Sequence, residues 1–196
     1  MSNLHLPASR LSATIKQGYP MRKSLARAGG YFACWLFFSQ MVCAASLFDS
    51  HFKAIDDNGN VQDISAYKGK AMMVTMEYSD CRYICSTTTY RLKQLQDAAD
   101  ARHQSYTFLI ISLDPVNDTP AAWTRYRKAR GLMRDNWHFL TPSQQDMPQI
   151  ARILGIRYWM MYDHLLHDYK VIRFDPDGSQ RAVLNDAGAD PAVLLK

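Results

Sequence analysis

The sequence predicts an α/β fold: a central sheet built on parallel β-α-β units, with one hairpin ahead of them and another after them. Three observations predict it. Residues 71–78 and 106–113 are apolar runs with the length and composition of buried strands. Each is followed by helical signals: Leu92, Leu95 and Ala98/Ala99 at helical spacing after the first, Thr119-Pro120 ahead of a segment ending at Gly131 after the second. Strands that alternate with helices imply parallel pairing, because only a crossover helix returns the chain to the same sheet edge.

Each element has a local reason. Residues 52–55 and 61–64 flank Asp56-Asp57-Asn58-Gly59-Asn60, a turn-forming cluster between short apolar runs, which reads as a hairpin. Ala66-Tyr67-Lys68-Gly69-Lys70 leads into the 71–78 strand, and the loop 79–85 leads out of it into a helix reaching about Ala101. The 106–113 strand precedes a helix opened by Pro120 and stopped by Gly131. Residues 137–140 form a short strand. Ser143 and Asp146 resemble a cap for a helix that ends near Gly155. Residues 156–161 read as a further strand. Residues 169–174 and 181–184 form a terminal hairpin around Asp175-Pro176-Asp177-Gly178, and residues 191–195 a stub of helix.

A chain of 196 residues fits one domain plus a leader. Its formal charge of +5 suggests a nucleic-acid surface until the distribution is read. Arg10, Lys16, Arg22, Lys23 and Arg27 lie before Ala45 with no acid among them, and 18 basic residues face 18 acidic ones beyond it. The excess belongs to a targeting segment, so a nucleic-acid partner is excluded. Arg125, Arg127, Lys128, Arg130 and Arg134 form a local basic run, read as a solvated helix face.

Residues 21–45 carry a basic start, an apolar stretch over 31–42 and small residues at Cys43, Ala44 and Ala45, the three-part pattern of a secretory signal peptide. Residues 1–45 are therefore expected to be a leader, with Met21 a candidate start, and residues 46–196 the working domain. The same leader, uncleaved, is the alternative: an anchor in the inner membrane, and the chain's one route to a membrane. Its apolar run is short for a span and is interrupted by Ser39 and Gln40. Lipidation at Cys43 is disfavoured by the bulk of Val42. The expected location is the periplasm, or the inner membrane facing it.

Removing the leader takes Cys34 and Cys43 with it and leaves Cys81 and Cys85. One cysteine pair in an oxidising compartment is a static disulfide, a redox couple or a soft-metal site. The pair follows a buried strand and stands at the entrance to a helix, where backbone N–H groups favour a thiolate. Four-residue spacing can put both sulfurs on one side of a turn, which suits Cu(I), and a histidine could complete a three-ligand site.

Four local patterns in the right order then carry a resemblance. They are Tyr67-Lys68-Gly69-Lys70 before the core strand; Tyr78-Ser79-Asp80-Cys81 with Cys85; Ser112-Leu113-Asp114-Pro115 with Asp118-Thr119-Pro120; and a histidine some ten residues ahead of Asp175-Pro176-Asp177-Gly178. Together they resemble the Sco (SenC-type) family of copper chaperones for cytochrome c oxidase, over about residues 48–184. The resemblance implies a thioredoxin-like fold, with a central mixed sheet flanked by helices and an N-terminal β-hairpin extension. It also implies a copper site of two cysteines and one histidine. By position the cysteines are Cys81 and Cys85. Counting back from Gly178 selects His167; His164, which has an acid before it in Asp163, is the fallback. Ser86 stands where the family usually has proline, and the stretch 163–168 departs from the pattern.

Two functions follow. One is a metallochaperone whose reduced cysteines hold Cu(I), or Cu(II) with the histidine, for a cuproprotein client such as a cytochrome oxidase subunit; an oxidised pair cannot bind. The other is an enzyme, a thiol–disulfide oxidoreductase that reduces client cysteines and needs a thiol reductant partner. His51, His103 and His138 read as structural or surface residues. Met72, Met73, Met76, Met160 and Met161 read as core packing rather than a methionine copper site. Asp114 and Asp118 read as turn and cap residues, with a carboxylate there able to orient the site. No phosphate-binding glycine motif, serine triad or zinc-finger spacing is present, and Ser79-Asp80-Cys81 does not supply a peroxidatic cysteine.

Overall fold

The computed structural model describes residues 46–81 and 84–196, without the side chains of Ile84 and Cys85. The leader expected over 1–45 lies outside the described residues. The first hairpin forms as β1 (Lys53–Asp56) and β2 (Val61–Asp63), paired antiparallel. Asp56 builds its turn: the carboxylate Oδ1 accepts from the backbone N–H of Asn58 at 2.9 Å and of Asn60 at 2.8 Å. These donors hold its pKa down against the opposing effect of burial.

The apolar runs become β3 (Met72–Glu77) and β4 (Thr107–Ser112), parallel and buried at every position. That accounts for their unbroken apolar character, since a central parallel strand is covered on both faces. Between them runs α1 (Ile84–Ala101), and after β4 comes α2 (Pro120–Arg130). The Thr119 hydroxyl caps α2 by accepting from the Ala122 N–H at 3.2 Å, Pro120 needs no donor in the first turn, and Gly131 closes it at φ 66°.

The chain returns as β5 (Trp137–Pro142), parallel to β4 and antiparallel to β1. Then follow α3 (Met147–Ile153), β6 (Tyr158–Met161), β7 (His164–His167), β8 (Val171–Phe174), β9 (Gln180–Leu184) and a 3-10 turn at Pro191–Leu195. Ahead of α3 the Ser143 hydroxyl accepts from the Asp146 N–H at 3.0 Å, but the Asp146 side chain caps no helix N–H. Seven strands form one mixed sheet in the order β2-β1-β5-β4-β3-β8-β9, so the N-terminal hairpin extends one edge and the terminal hairpin the other. β6 and β7 form a separate two-stranded ribbon. β7 is the element not expected from sequence: a four-residue strand in a stretch read only as a departure from the pattern.

Alternation splits the core into two layers. Met72, Val74 and Met76 face one side with Leu109, Ile111 and the α3 residues Ile150 and Ala151; Met73 faces the other with Phe108, Ile110, Leu92, Leu95 and Trp123. The terminal turn is pinned by Gly178. It adopts φ +81°, and a Cβ there would strike Ser46 Oγ and approach the Phe48 ring to 2.5 Å.

Two expectations change. Arg127 is not on a solvated face: it is buried, pairs with Asp57 of the first hairpin, and donates to the Leu132 carbonyl at 3.0 Å. Its neighbours Arg125 and Lys128 are exposed as expected. Met72, Met73 and Met76 are core, but Met160 and Met161 are 63% and 48% exposed. β6 has one strand partner and lacks the two covering layers of β3.

Candidate metal centre

β3 ends where the cysteine loop begins, and three contacts shape that loop. The Cys81 N–H donates to the Tyr78 carbonyl at 3.2 Å. The Ser79 N–H donates to Asp118 Oδ1 at 2.8 Å, while the Ser112 hydroxyl donates to Asp118 Oδ2 at 2.6 Å. The Tyr78 hydroxyl donates to the Leu165 carbonyl in β7 at 2.6 Å. Asp118 is thus a buried anchor joining the end of β4 to the cysteine loop; burial raises its pKa despite the two donors. Asp118 is not the helix cap read from sequence: Thr119 takes that role, and Asp118 holds the cysteine loop instead.

Cys81 is buried, and so is His167 at the far end of β7. A hydrogen bond joins the Cys81 thiol and the His167 imidazole. His167 Nδ1 donates to the Asp168 carbonyl at 2.9 Å. In the neutral ring the lone pair then sits on Nε2. The imidazole meets the Tyr78 ring edge-on, with centroids 6.1 Å apart. Burial opposes its protonation, but the bonds to Cys81 and the Asp168 carbonyl, with the charges of Cys81 and Glu77, outweigh that and raise its pKa. Next to it Arg157 grips Asp168 with two bonds of 2.9 and 3.0 Å, fixing the base of the β6–β7 ribbon and holding the Asp168 pKa low.

Cys85 is the second residue of α1; its side chain lies outside the described residues. His164 sits at the opposite end of β7 from His167, with Nε2 3.3 Å from Asp163. Among the described residues no group of three His, Cys, Asp or Glu side chains could by itself hold a metal. Cys81 and His167 contribute two donors, a soft sulfur and a borderline nitrogen. The carbonyl bond on Nδ1 is the arrangement that orients a ligating imidazole. These residues fit a thiophilic ion such as copper better than a hard one.

The other described histidines stay apart. His51 and His103 are exposed in left-handed turns, and His138 packs edge-on against Tyr67 with its pKa lowered by burial. Glu77 was not singled out from sequence. It is the last residue of β3, 1% exposed, and accepts from the Tyr126 hydroxyl at 2.7 Å through Oε2, while Oε1 has no hydrogen-bond partner among the described residues. Burial pushes its pKa up to about 7, against the lowering effect of Tyr126. An acid inside an otherwise apolar 71–78 run was the signal available. An open cleft of about 1030 Å³ adjoins the cysteine loop, lined by Tyr78, Asp80, Asp114 and Arg125 on one side and Trp159 and His164 of the ribbon on the other. Among the described residues no helix is long and apolar enough to cross a membrane.

Comparison with known proteins matches this architecture. A SCO1 protein homolog of Bacillus subtilis is 24% identical over 144 residues, covering 71% of this chain and 67% of that protein. The copper-bound ScoI of Arabidopsis thaliana superimposes with a TM-score of 0.64 at 20% identity, over 73% of this chain and 90% of that one. BsSco, a member of the Sco family of cytochrome c oxidase assembly proteins in which a disulfide switch is identified, gives 0.65 at 22%, over 74% and 86%. The fold is thioredoxin-like. A family model for SCO1/SenC matches residues 42–194, and the chain belongs to that family.

Proposed function

We propose that this protein is an exported copper metallochaperone, which holds copper on Cys81, Cys85 and His167 and delivers it to a cuproprotein, a cytochrome oxidase subunit being the client class the family indicates. The observation that carries this reading is the contact between the Cys81 thiol and the His167 imidazole, made across the gap between the β3 loop and β7. It joins two ligand types 86 residues apart, and the helix that follows carries a second cysteine, Cys85, in its first turn. Copper-bound relatives support the choice of ion. The leader over 1–45 supports export to the periplasm, with an uncleaved leader as anchor on its inner membrane the alternative.

The chain's own residues have distinct tasks. Asp118 holds the cysteine loop through Ser79, Tyr78 ties that loop to β7, and the Asp168 carbonyl sets the His167 tautomer. Copper, as cargo, enters when both thiols are reduced and leaves by ligand exchange to softer or more numerous donors on the client.

Titration of the reduced protein with Cu(I) and Cu(II) tests this. The wild type takes up one tight equivalent with a thiolate-to-metal absorption band. Cys81→Ser, Cys85→Ser and His167→Ala each weaken it by more than about tenfold, since even outer-shell partners of a ligand carry effects of that size, whereas His164→Ala leaves it intact. An unchanged tight equivalent in the double cysteine variant refutes the reading.

A second reading has an observation of its own. A thiol beside an imidazole of raised pKa favours the thiolate, the species that attacks disulfides. In that role one thiolate attacks a client disulfide, the second cysteine resolves the mixed disulfide, and the client leaves with two thiols. A thiol reductant partner then restores the Cys81/Cys85 pair. Disulfide reduction by metal-free protein, slowed by His167→Ala but far less than copper binding is weakened by it, is the expected signature; its absence leaves the carrier role alone.

A further inference from the structure

Between the strand that leads into the cysteine loop and the helix that carries Cys85, one buried phenol makes a bridge. We propose that Tyr126 of α2 is a positioning residue for the cysteine pair: with Glu77 and Thr89 it forms a clasp that fixes the gap between the Cys81 loop and the first turns of α1. The Tyr126 hydroxyl donates to Glu77 Oε2 at 2.7 Å. Its one proton is then engaged, so the Thr89 hydroxyl, 2.9 Å away, is the donor in the second bond. Glu77 closes β3 four residues ahead of Cys81, and Thr89 lies one helical turn beyond Cys85. The clasp thus grips both cysteine-bearing segments, each four residues from its cysteine. It rests on the reading of Cys81 and Cys85 as the working pair.

Burial sets these three residues apart from ordinary filling. All are buried, and Tyr126 belongs to the layer that Leu92, Trp123 and Phe139 make apolar. An unpaired polar group there is costly, and apolar residues of similar shape would fill the space as well. A fully joined polar chain in such a place specifies a geometry. The Tyr126 ring is itself held: Trp123 meets it edge-on with centroids 5.4 Å apart, and the Arg130 guanidinium stands 3.9 Å from its centroid. The hydroxyl is therefore a fixed point against which β3 and α1 are placed. The other ties of the cysteine loop, Ser79–Asp118 and Tyr78–Leu165, run to the entrance of α2 and to β7, not to α1.

The gap matters because both uses of the pair depend on it. A disulfide forms only where the two Cα atoms stand within a narrow range of distance. A metal held by two thiolates likewise needs both sulfurs within reach of one ion. In each case the second sulfur acts at an effective concentration set by how closely the two segments are held. Loosening the clasp lowers that concentration. It therefore weakens the disulfide relative to the dithiol, and weakens copper held by both sulfurs, in the same direction. Lost stability alone moves neither while the protein stays folded.

The test equilibrates full-length protein, with Cys34→Ser/Cys43→Ser so that only the pair titrates, in glutathione buffers. The pair dithiol and one glutathione disulfide exchange for the pair disulfide and two glutathione thiols, and alkylation with mass analysis reads the ratio. Tyr126→Phe is expected to shift the equilibrium about tenfold toward the dithiol, which is about 30 mV. Thr89→Val shifts it the same way by about threefold or more, and decides the matter if Tyr126→Phe does not fold by circular dichroism. The two together shift it no further than Tyr126→Phe alone, because they break one chain. Glu77→Gln keeps an acceptor for the hydroxyl and gives a smaller shift than Tyr126→Phe. Thr75→Val cuts a bond to the Lys170 carbonyl on the same face of β3, controls for lost stability, and leaves the equilibrium unmoved. Competition with a chromophoric Cu(I) chelator is expected to rank the variants in the same order. A parent protein that forms no pair disulfide and binds no copper removes the reading on which the clasp rests. A normal parent with unmoved Tyr126→Phe and Thr89→Val overturns the clasp alone. So does an equal shift from Thr75→Val, or one from Glu77→Gln as large as that from Tyr126→Phe, which assigns the effect to charge.

Discussion

β3 and β6 are both short strands that carry adjacent methionines, and they put them to opposite uses. In β3, Met72, Met73 and Met76 are sealed between two layers, because β3 has β4 on one side, β8 on the other and side-chain cover above and below. In β6, Met160 and Met161 belong to a two-stranded ribbon separate from the main sheet, and both are exposed. The side chains are identical, so the difference lies in how many faces the fold covers. The same contrast separates the ion pairs of Arg127 and Arg134. Arg127–Asp57 has side chains 11% and 6% exposed, and Arg134–Asp100 has 52% and 43%.

The largest expected effect breaks the buried pair. Asp57→Ala strands the Arg127 guanidinium and is expected to cost about 3–5 kcal/mol of unfolding free energy. Asp100→Ala, at the exposed pair, costs about 1 kcal/mol or less. Urea denaturation reads both, and equal losses would remove burial as the cause. Next come the methionines. Met73→Ala opens a cavity and is expected to cost about 3 kcal/mol, whereas Met160→Ala stays within about 0.5 kcal/mol. A large loss from Met160→Ala would mean that the ribbon tip is covered in solution.

Glu77 sharpens the description of β3 as a sealed strand. Its folded pKa of about 7 lies above the ordinary value of 4.5, with burial as the main cause and Tyr126, His167, Cys81 and Arg130 as its electrical neighbours. A raised carboxyl pKa favours the folded state while the group is protonated. The contribution is complete below the ordinary value and disappears as pH rises through the folded one. A fall in stability of roughly 3 kcal/mol is expected between about pH 4.5 and pH 8 from this group. Glu77→Gln should abolish that component. A wild type and variant with parallel pH profiles would show Glu77 to be hydrated.

What was legible in the sequence was local. The Asp56 turn, the Thr119-Pro120 start and the Gly131 stop of α2 are short-range chemistry, and the strands β3 and β4 announce themselves as unbroken apolar runs. The address of Cys81 between strand and helix was equally readable. The remainder depended on partners far away in the chain. Arg127 is buried because Asp57 lies 70 residues earlier, and no helix periodicity reports that. β7 was missed because four residues with a histidine at each end carry no strand pattern until Tyr158–Met161 pairs with them. His167 and His164 differ by only three positions, yet one end of the strand packs on Tyr78 and the other stands at a turn. The burial of Met73 and the exposure of Met161 were likewise invisible, since both residues sit in apolar runs.

Mild peroxide gives the smallest effect on stability and the most direct comparison of the two strands. Methionine oxidation adds a polar oxygen and requires access to sulfur. In metal-free protein, Met160 and Met161 should become sulfoxides first, as read by peptide mass mapping, with little change in melting temperature. Met72, Met73 and Met76 should resist until the protein unfolds, because their sulfurs are reached only by opening the sheet. Oxidation of β3 at the rate of β6 would mean that the central sheet opens readily. Protection of Met160 and Met161 would mean that something, a second copy or the chain itself, covers the tip. Either result would erase the contrast between the strands. The expected result leaves two thioethers exposed on a strand that pairs on one side only.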